Sequence, residues 1–345
     1  MSRGTGDWRA LVDDVDAALI DGYQSGFPVA ERPFEPVGAD VGVPAADALR
    51  RVERLSEEGI FRRFGPVLNP PVIGSSTLAA VSAPEGRFEE VAETINGYRQ
   101  VNHNYARDHE WNMWFVVTAA SKERRDEIIA EIESRTGLAV LVLPMLTDFY
   151  IDLEFPVVNA DSFARESVAE TSVSATRISE TAAADLSALD RRLLLEIQDG
   201  FPLSATPYRD VADAVAAPVE EVLAAVESLR ADGCIKRVGC VVNHLVTGFD
   251  ANCMVVWDVP DEELDDRGEA VGRLPYVTLC YHRPRRPEQG WTYNLFTMIH
   301  GRDPEAVDEK IDELAADHLS VDHERLYSTE TLIQTGARYE DIVDG

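Results

Sequence analysis

Four polar side chains stand at every second position of one short segment, Val101–Phe115 (VNHNYARDHEWNMWF). They are His103, Tyr105, Arg107 and His109. Alternate residues of a β-strand share one face, so the spacing predicts a pocket wall that bears two imidazoles, a phenol and a guanidinium. An imidazole can donate a proton near neutral pH. We therefore predict that His103, His109 and Tyr105 are catalytic, with ordinary polar hairpin residues as the alternative interpretation of the histidines.

A second segment, residues 276–301, carries a matching set of side chains. Tyr281 and Arg283 repeat the Tyr-x-Arg spacing of the first segment, and Arg285 and Arg286 follow them. A guanidinium can bind a carboxylate through two parallel hydrogen bonds. These arginines, together with the one in the first segment, predict a cationic pocket for carboxylates. The alternative is that they form surface ion pairs with the abundant acids of the chain.

Aromatic and amide side chains complete the two segments. Trp and Tyr rings can wall a flat ligand or stack on it, although such rings are more often part of a core. Asparagines at such places more often fix a turn than perform chemistry. The predicted binding residues beyond the arginines are Tyr281, Trp111, Trp114, Asn112, Trp291, Tyr293, Asn294 and His300.

The two segments differ at one informative position. Leu279 stands in the second segment where His103 stands in the first. The neighbouring His282 would point to the opposite face of its strand. If each half held its own site, the second site would lack an equivalent acid. The asymmetry favours one composite site supplied mainly by the histidines of the first half.

The chain is an internal duplication. Asp16 and Gly74 recur as Asp190 and Gly248 at an offset of 174 residues, and shared positions between them keep that offset. A constant offset over so long a stretch indicates that two copies of one unit were fused. The seam at residues 157–185 is rich in Ser, Thr, Ala and Glu, which is typical of a flexible acidic linker.

Each copy has the same order of predicted elements. In the second copy, apolar periodicity predicts helices over 190–198, 208–215 and 218–231 and a strand over 234–242, which is the order of a winged helix-turn-helix. Strands over 251–258, 276–281, 291–299 and 321–327, with two helices among them, then give a ferredoxin-like βαββαβ order. We predict an α+β fold, with helix-turn-helix domains at 1–74 and 186–248 and ferredoxin-like domains at 75–156 and 249–345.

This architecture resembles the Lrp/AsnC regulators, which makes an amino-acid-responsive or tetrapyrrole-sensing transcriptional regulator the alternative function. A recognition helix that binds DNA presents basic side chains to phosphates. The corresponding helix of the second copy instead carries Glu220, Glu221 and Glu227 beside Arg230. We therefore predict no DNA binding, and interpret the helix-turn-helix as a scaffold or dimerisation unit.

The two chemical segments are similar to the signatures of the siroheme decarboxylases, and this chain resembles a fusion of both subunit types of that family. The resemblance implies that CO2 is removed from the C12 and C18 acetates of siroheme, giving 12,18-didecarboxysiroheme for alternative haem or haem d1 synthesis. It implies no cofactor beyond the iron of the substrate, with His300 as a candidate iron or propionate contact. The absence of a GxGxxG fingerprint agrees with chemistry that needs no redox step.

Composition and charge indicate the solvent and the cellular compartment to which the protein is suited. The formal charge is −30, and only three of the 32 cations are lysine, which is typical of a halophilic protein. No apolar signal segment or membrane span is present in the sequence, so we predict a cytoplasmic protein without a membrane partner. The four cysteines lack C-x2-C spacing, so we predict buried thiols and no metal site. Because each sandwich alone leaves one sheet face uncovered, we predict that the two halves pair internally, with a homodimer as a further option.

Overall fold

Two helix-turn-helix units and two βαββαβ units alternate along the chain, so the predicted α+β class and its duplication are confirmed. The computed structural model describes residues 8–151, 175–178, 185–243, 246, 248–249 and 251–339. Most of the predicted linker, 157–174 and 179–184, lies outside these residues. The domain boundaries drawn from the sequence remain predictions.

The first half contains six helices and six strands among its described residues. They are α1 (Asp14–Gly22), α2 (Phe34–Asp40), α3 (Ala45–Glu57), β1 (Phe61–Leu68), α4 (Pro70–Ile73), β2 (Ser75–Val81), α5 (Phe88–Asn96), β3 (Val101–Arg107), β4 (Met113–Ala119), α6 (Lys122–Thr136), β5 (Val140–Pro144) and β6 (Thr147–Ile151).

The second half follows the same order. Its elements are β7 (Thr176–Arg177), α7 (Ala188–Ile197), α8 (Pro207–Ala214), α9 (Val219–Ala231), β8 (Ile235–Val242), β9 (Ala251–Trp257), α10 (Leu264–Gly272), β10 (Val277–His282), β11 (Leu295–Gly301), α11 (Pro304–Asp317) and β12 (His323–Gln334).

Local sequence chemistry fixes the ends of the helices at repeat-equivalent places. Asp13 and Ser187 each form a capping box at the start of α1 and α7. Such a cap satisfies two of the free N–H groups of the first turn. Pro44 and Pro218 hold an extended backbone before α3 and α9. Because both copies carry these signals, the two helix-turn-helix units fold alike.

The two helix-turn-helix units share one hydrophobic core, which contains Phe27, Phe64, Phe201 and Tyr208. Their wings, β1 and β8, form a two-stranded antiparallel sheet in which Gly65 lies opposite Gly239. A Cβ atom on Gly65 would lie 2.7 Å from the backbone nitrogen of Phe201, and one on Gly239 would collide with the carbonyl oxygen of Gln24. The repeated glycine therefore lets a loop of each copy pass against the wing.

The two ferredoxin-like units form one ten-stranded sheet in the order β5-β2-β4-β3-β12-β9-β11-β10-β6-β7. The halves exchange strands: β12 pairs with β3 of the first half, and β6 pairs with β10 of the second. Since β5 and β6 are separated by only Met145 and Leu146 yet lie near opposite ends of this order, the sheet curls round on itself.

Each half has its helices on the outer face of its strands, and the inner faces meet. The inner cluster draws Trp111, Trp114 and Leu143 from the first half and Tyr281, Trp291 and Phe296 from the second. These side chains come from both repeats and are buried together. The structure thus has the internal pairing of the halves that the uncovered sheet faces predict.

Four strands differ from the sequence prediction. β6 was not predicted, β7 lies within the predicted linker, β11 begins at Leu295 and not at Trp291, and β12 continues to Gln334. For β6 and the end of β12 the partner strand decides the outcome, because both pair with the other half of the chain. A single-copy pattern carries no information on such exchange.

The structure also shows the state of the cysteines and bears on metal-binding clusters and membrane-spanning helices. Cys234, Cys240, Cys253 and Cys280 are free and buried, as predicted. Within the described ranges, no group of three or more His, Cys, Asp and Glu side chains is arranged to hold a metal ion. None of the helices in the described part of the chain is long and apolar enough to cross a bilayer.

Candidate active site

A cavity of about 900 Å³ lies between the paired wings and the ferredoxin-like sheet. Ser25 and the wing residues Arg62, Arg63, Val67, Lys236, Arg237 and Val241 line one side. Asn102, His103, the Asp148–Ile151 segment and the Thr335–Ala337 tail line the other, with Gln198, Asp199 and Tyr339 between. Both repeats therefore contribute to one space, whose size suits a large organic ligand.

The charge of the cavity opposes the charge of the chain. Its lining contains five cations, Arg62, Arg63, Arg230, Lys236 and Arg237, against two carboxylates, Asp148 and Asp199, and Arg230 is in addition paired with Glu227. Two pairs of these cations are repeat partners at the offset of 174 residues: Arg62 with Lys236, and Arg63 with Arg237. A protein of formal charge −30 thus presents a local positive field here, which attracts anionic ligands.

Several of these cations are held by the backbone. Arg62 donates to the carbonyl oxygen of Gln334 at 3.4 Å, and Arg63 donates to that of Gln198 at 2.8 Å. Burial lowers the pKa of Arg63. A carbonyl oxygen does not neutralise a guanidinium, so both groups keep charge for a carboxylate ligand. Lys236 differs, because its Nζ lies 3.7 Å from the Asp148 carboxylate.

His103 is the predicted catalytic residue that reaches this cavity. Its Nδ1 atom lies 3.0 Å from the Tyr105 hydroxyl, and the two rings stack with centroids 6.0 Å apart. Burial, helped by the positive charge of Arg62, lowers the pKa of His103 to about 4. Burial raises the pKa of Tyr105. At neutral pH the pair is therefore an uncharged imidazole hydrogen-bonded to an uncharged phenol.

Arg107 and Arg283 lie away from the cavity, between the inner sheet faces. Each donates to a backbone carbonyl of another strand, that of Leu326 for Arg107 and that of Leu143 for Arg283. Their guanidinium carbons lie 6.0 Å from the Tyr105 ring centroid and 4.7 Å from that of Tyr281. Burial lowers the pKa of Arg107 to about 10 and also lowers that of Arg283. Arg107 and Arg283 are therefore held by backbone carbonyl oxygens, and not by the surface ion pairs that were the alternative interpretation.

The arginines of the loop between β10 and β11 have partners within the protein. Arg285 pairs with Asp258 at 2.7 Å and also with Asp261. Arg286 donates to the carbonyl oxygen of Arg285 at 3.2 Å. Neither arginine lines the large cavity. The four arginines that the sequence predicts as a cationic pocket, Arg107, Arg283, Arg285 and Arg286, are therefore not the cations of the large cavity.

His109 lies beyond the end of β3 and therefore does not continue the strand face of His103. Its Nε2 atom lies 2.6 Å from the Glu324 carboxylate of the second half. Its Nδ1 atom accepts a hydrogen bond from the Trp111 backbone N–H at 2.9 Å. Burial, together with hydrogen bonding to Glu324, raises the pKa of Tyr293. His109, Glu324 and Tyr293 thus form a polar contact between the halves.

The remaining predicted residues have structural partners. The amide of Asn112 exchanges two hydrogen bonds of 2.8 Å with the backbone of Ala83, and Asn294 makes the same pair with Val259 at 3.0 and 2.9 Å. This is the turn-fixing arrangement. His300 is buried and lies 2.7 Å from the Thr278 hydroxyl.

The predicted aromatic wall lies in the inner cluster. Trp114 and Trp291 pack edge to face at 5.3 Å, Trp291 and Tyr293 at 5.1 Å, and Tyr281 stacks on Phe296 at 5.7 Å. The indole N–H of Trp114 donates to the Trp111 carbonyl oxygen at 2.6 Å. These rings hold the two sheet faces together, and none of them lines the large cavity.

The wing residues of the cavity were not predicted from the sequence. The signal was present: FRRFG in the first copy and IKRVG in the second place two cations at repeat-equivalent positions. Adjacent residues of a regular strand point to opposite faces, so the two cations of one wing are not expected to share a site. Pairing of the wings, which the repeat alone does not reveal, brings these cations over one cavity.

The recognition helices lack free basic faces. In α3, Arg50 pairs with Asp47 at 2.7 Å, Arg51 with Asp16 at 2.8 Å, and Arg54 with Asp16 at 2.6 Å. In α9, Arg230 pairs with Glu227 at 3.1 Å. These pairs cancel the charges that a DNA-binding helix would offer to phosphates.

Comparisons with known proteins agree with this architecture. Residues 73–150 and 246–332 match a model of the AsnC-like ligand binding domain, and residues 16–62 and 190–235 match a siroheme decarboxylase NirDL-like HTH domain. The chain is 35% identical to the siroheme decarboxylase NirDL subunit of Paracoccus denitrificans (strain Pd 1222), over 96% of this chain and 99% of that one.

Two further relatives match one half of the chain and the fold of the whole chain. The siroheme decarboxylase NirD subunit of Pseudomonas aeruginosa is 43% identical over 42% of this chain and 97% of its own length. A crystal structure of the siroheme decarboxylase NirDL in co-complex with an iron-uroporphyrin III analogue superposes with a TM-score of 0.70 at 25% identity, over 96% of both chains. The chain belongs to the siroheme decarboxylase family, in the form that joins both halves in one polypeptide.

Proposed function

We propose that this enzyme removes CO2 from the C12 and C18 acetates of siroheme, and that the cavity between the wings and the sheet is where it does so. The observation that carries the proposal is a cavity of about 900 Å³ that combines five cations with the His103–Tyr105 pair. Siroheme is a large polycarboxylate, and a structural relative was crystallised with an iron-uroporphyrin III analogue. The product, 12,18-didecarboxysiroheme, serves alternative haem or haem d1 synthesis.

The cavity cations bind the carboxylates of the substrate. Arg62 and Arg63 are the strongest candidates, because carbonyl oxygens are weaker partners for them than carboxylates would be. Lys236 and Arg237 supply the corresponding charges on the wing of the second half. In this proposal Arg107 and Arg283 act indirectly, since they hold the rings of Tyr105 and Tyr281.

The chemical step breaks the bond between the acetate methylene and its carboxyl carbon. CO2 leaves, the electron pair passes into the macrocycle, and the methylene carbon takes up a proton to become a methyl group. His103 donates that proton from Nε2 while Tyr105 passes its hydroxyl proton to Nδ1 over the 3.0 Å hydrogen bond. Arg107 stabilises the resulting phenolate. The proton then returns from Nδ1 to the Tyr105 oxygen, and solvent supplies a new proton to Nε2, which restores the resting pair.

An uncharged donor suits this site. Burial, and after it the positive charge of Arg62, lowers the pKa of His103 to about 4, so a protonated imidazole is disfavoured here. The relay lets His103 act without carrying a full charge in the resting enzyme. His109, shared between Trp111 and Glu324, remains a second candidate for the acid. The other side chains that the sequence predicts to bind substrate do not line this cavity, so we propose no direct contact with siroheme for them. They are Trp111, Trp114, Asn112, Trp291, Tyr293, Asn294, Arg285, Arg286 and His300.

Anaerobic incubation with siroheme, followed by mass spectrometry of the tetrapyrrole, tests the function. We expect loss of two CO2 units, about 88 mass units from the stoichiometry of the reaction. An Arg62→Gln/Arg63→Gln variant should bind siroheme weakly, whereas Arg50→Gln, outside the cavity, should bind as the unaltered enzyme does. Tight siroheme binding without CO2 release would contradict the enzyme and favour a tetrapyrrole sensor.

A further inference from the structure

Four of the five cations of the cavity form two repeat-related pairs, whereas its histidine has no such partner among the described lining residues. Arg62 and Lys236 are repeat partners, as are Arg63 and Arg237, and all four line the same space. Val67 and Val241 form a third such pair. The pseudo-twofold axis that relates the halves therefore passes through the cavity, so anionic groups can be held equivalently on either side of it.

Among the cavity-lining residues that the structure describes, an imidazole is present on one side only. His103 has Gln334 of β12 as its strand partner, and the adjacent Thr335 lines the cavity. At the matching place in β10 stands Leu279, whose strand partner Ile151 lines the cavity on the other side. The second phenol also lacks an imidazole partner, because the Tyr281 hydroxyl donates to the Met254 sulfur at 3.7 Å.

The substrate has a matching local symmetry. The C13 and C17 propionates of siroheme flank the C15 bridge, and the C12 and C18 acetates lie outside them. A half-turn of the macrocycle about the line from C5 to C15 exchanges the two acetates and also the two propionates. Since cations are paired across the axis of the cavity, similar carboxylate contacts are available after the half-turn. The contact of Lys236 with Asp148 makes the two sides unequal, so one orientation of siroheme is preferred in the first step.

We propose that decarboxylation occurs only on the His103 side, so the two acetates are processed one after the other and the macrocycle makes a half-turn between the steps. Leu279 is the residue that makes the second side inactive. The inference rests on the proposed function. Each step has the same balance: one carbon–carbon bond breaks, one CO2 leaves, and one proton is delivered from the same His103–Tyr105 pair.

A single-turnover experiment on the unaltered enzyme tests the sequence of events. With enzyme in excess over siroheme under anaerobic conditions, quenched samples are separated by chromatography and identified by mass and NMR. We expect monodecarboxysiroheme, about 44 mass units lighter from stoichiometry, to rise and fall as one dominant isomer. Loss of both CO2 units without such an intermediate, or equal amounts of both isomers at the earliest times, would overturn the inference.

Two variants and one control test the role of position 279. Leu279→His should place an acid on both sides, so both monodecarboxylated isomers should form in the first step. His103→Leu/Leu279→His moves the acid across the axis and should form first the isomer that is minor for the unaltered enzyme. Leu279→Met, a packing control, should keep the original isomer order.

The outcomes separate the inference from the function on which it rests. If the transplanted variant is active and still forms the original isomer first, the one-sided model is wrong although the chain remains a decarboxylase. If that variant does not fold, as circular dichroism would reveal, the single-turnover result on the unaltered enzyme still decides. If the unaltered enzyme releases no CO2 from siroheme, the proposed function itself fails.

Discussion

His103 and Tyr105 are two residues apart on β3, and the Nδ1 atom of the imidazole lies 3.0 Å from the phenol oxygen. Two side chains on one strand face are fixed relative to each other by the strand itself. The hydrogen bond occupies one ring nitrogen of His103, at a residue that lines the cavity. The other ring nitrogen is thereby the one left for substrate.

His103→Ala should lower the decarboxylation rate by about 100-fold or more, the usual contribution of general acid catalysis. Siroheme affinity should change little, because a proton donor acts mainly in the transition state. Tyr105→Phe should cause a smaller loss, since the imidazole remains while its proton supply is removed. Single-turnover rates and a separate binding titration measure the two effects. Unchanged rates in both variants would show that the proton comes from another group.

Stability should depend on pH through His103. Its pKa is near 4 in the folded protein and about 6.5 in an unfolded chain, so the unfolded state binds more protons between these values. The stabilising contribution is therefore complete above about pH 6.5 and is lost as the pH falls toward about 4. Because many carboxylates titrate in the same range, the measurement is the difference in melting temperature between the unaltered protein and His103→Leu. This difference should change across that window, and a constant difference would contradict the shift.

The cavity cations and the hairpin cations should behave differently. Arg62→Gln should weaken siroheme binding, by roughly 1.5–3 kcal/mol for a charged hydrogen bond. Arg285→Gln should leave affinity nearly unchanged and lower the melting temperature, because Arg285 pairs with Asp258 and Asp261. Isothermal titration and thermal unfolding of both variants give the comparison. Weakened binding in the Arg285 variant alone would place the substrate at the hairpins.

Much of the fold could be predicted because its signals are local and occur twice. Helix starts such as Asp13 and Ser187, and the apolar periods between them, are read directly from the sequence. The exchange of β6 and β12 could not be predicted in the same way. Their pairing with β10 and β3 depends on the position of the other copy, and adjacent residues do not encode it.

The site residues also fall into those that a local pattern predicts and those that depend on the pairing of the two copies. The His103–Tyr105 contact follows from alternation on one strand and was predicted as a shared face. Arg107 was predicted on the same face. It is buried between the inner sheet faces of the two halves and does not line the cavity. Arg62 and Lys236 come together only through the pairing of β1 with β8. A residue set assembled by the pseudo-twofold axis cannot be found by inspecting one motif.

Variants of His109 and Glu324 test whether His109 is a catalytic acid or a structural contact between the two halves. His109→Gln and Glu324→Gln each remove one partner of the 2.6 Å contact between the halves. If the contact is structural, both variants should lose roughly 0.5–1.5 kcal/mol of stability and keep similar rates. If His109 is an acid, its variant alone should lose about 100-fold or more in rate. Chemical denaturation and single-turnover kinetics on the same preparations separate the two roles.

Salt should act on stability and on substrate affinity in opposite directions. The formal charge of −30 repels itself across the surface, and screening lengths fall from about 10 Å at 0.1 M salt to about 3 Å at 1 M. The melting temperature should therefore rise with potassium chloride over this range. The cavity is positive, and screening weakens its attraction for a polycarboxylate, so siroheme affinity should fall over the same range. A melting temperature that is independent of salt would contradict the halophilic interpretation, whereas a salt-independent affinity would contradict the cationic site.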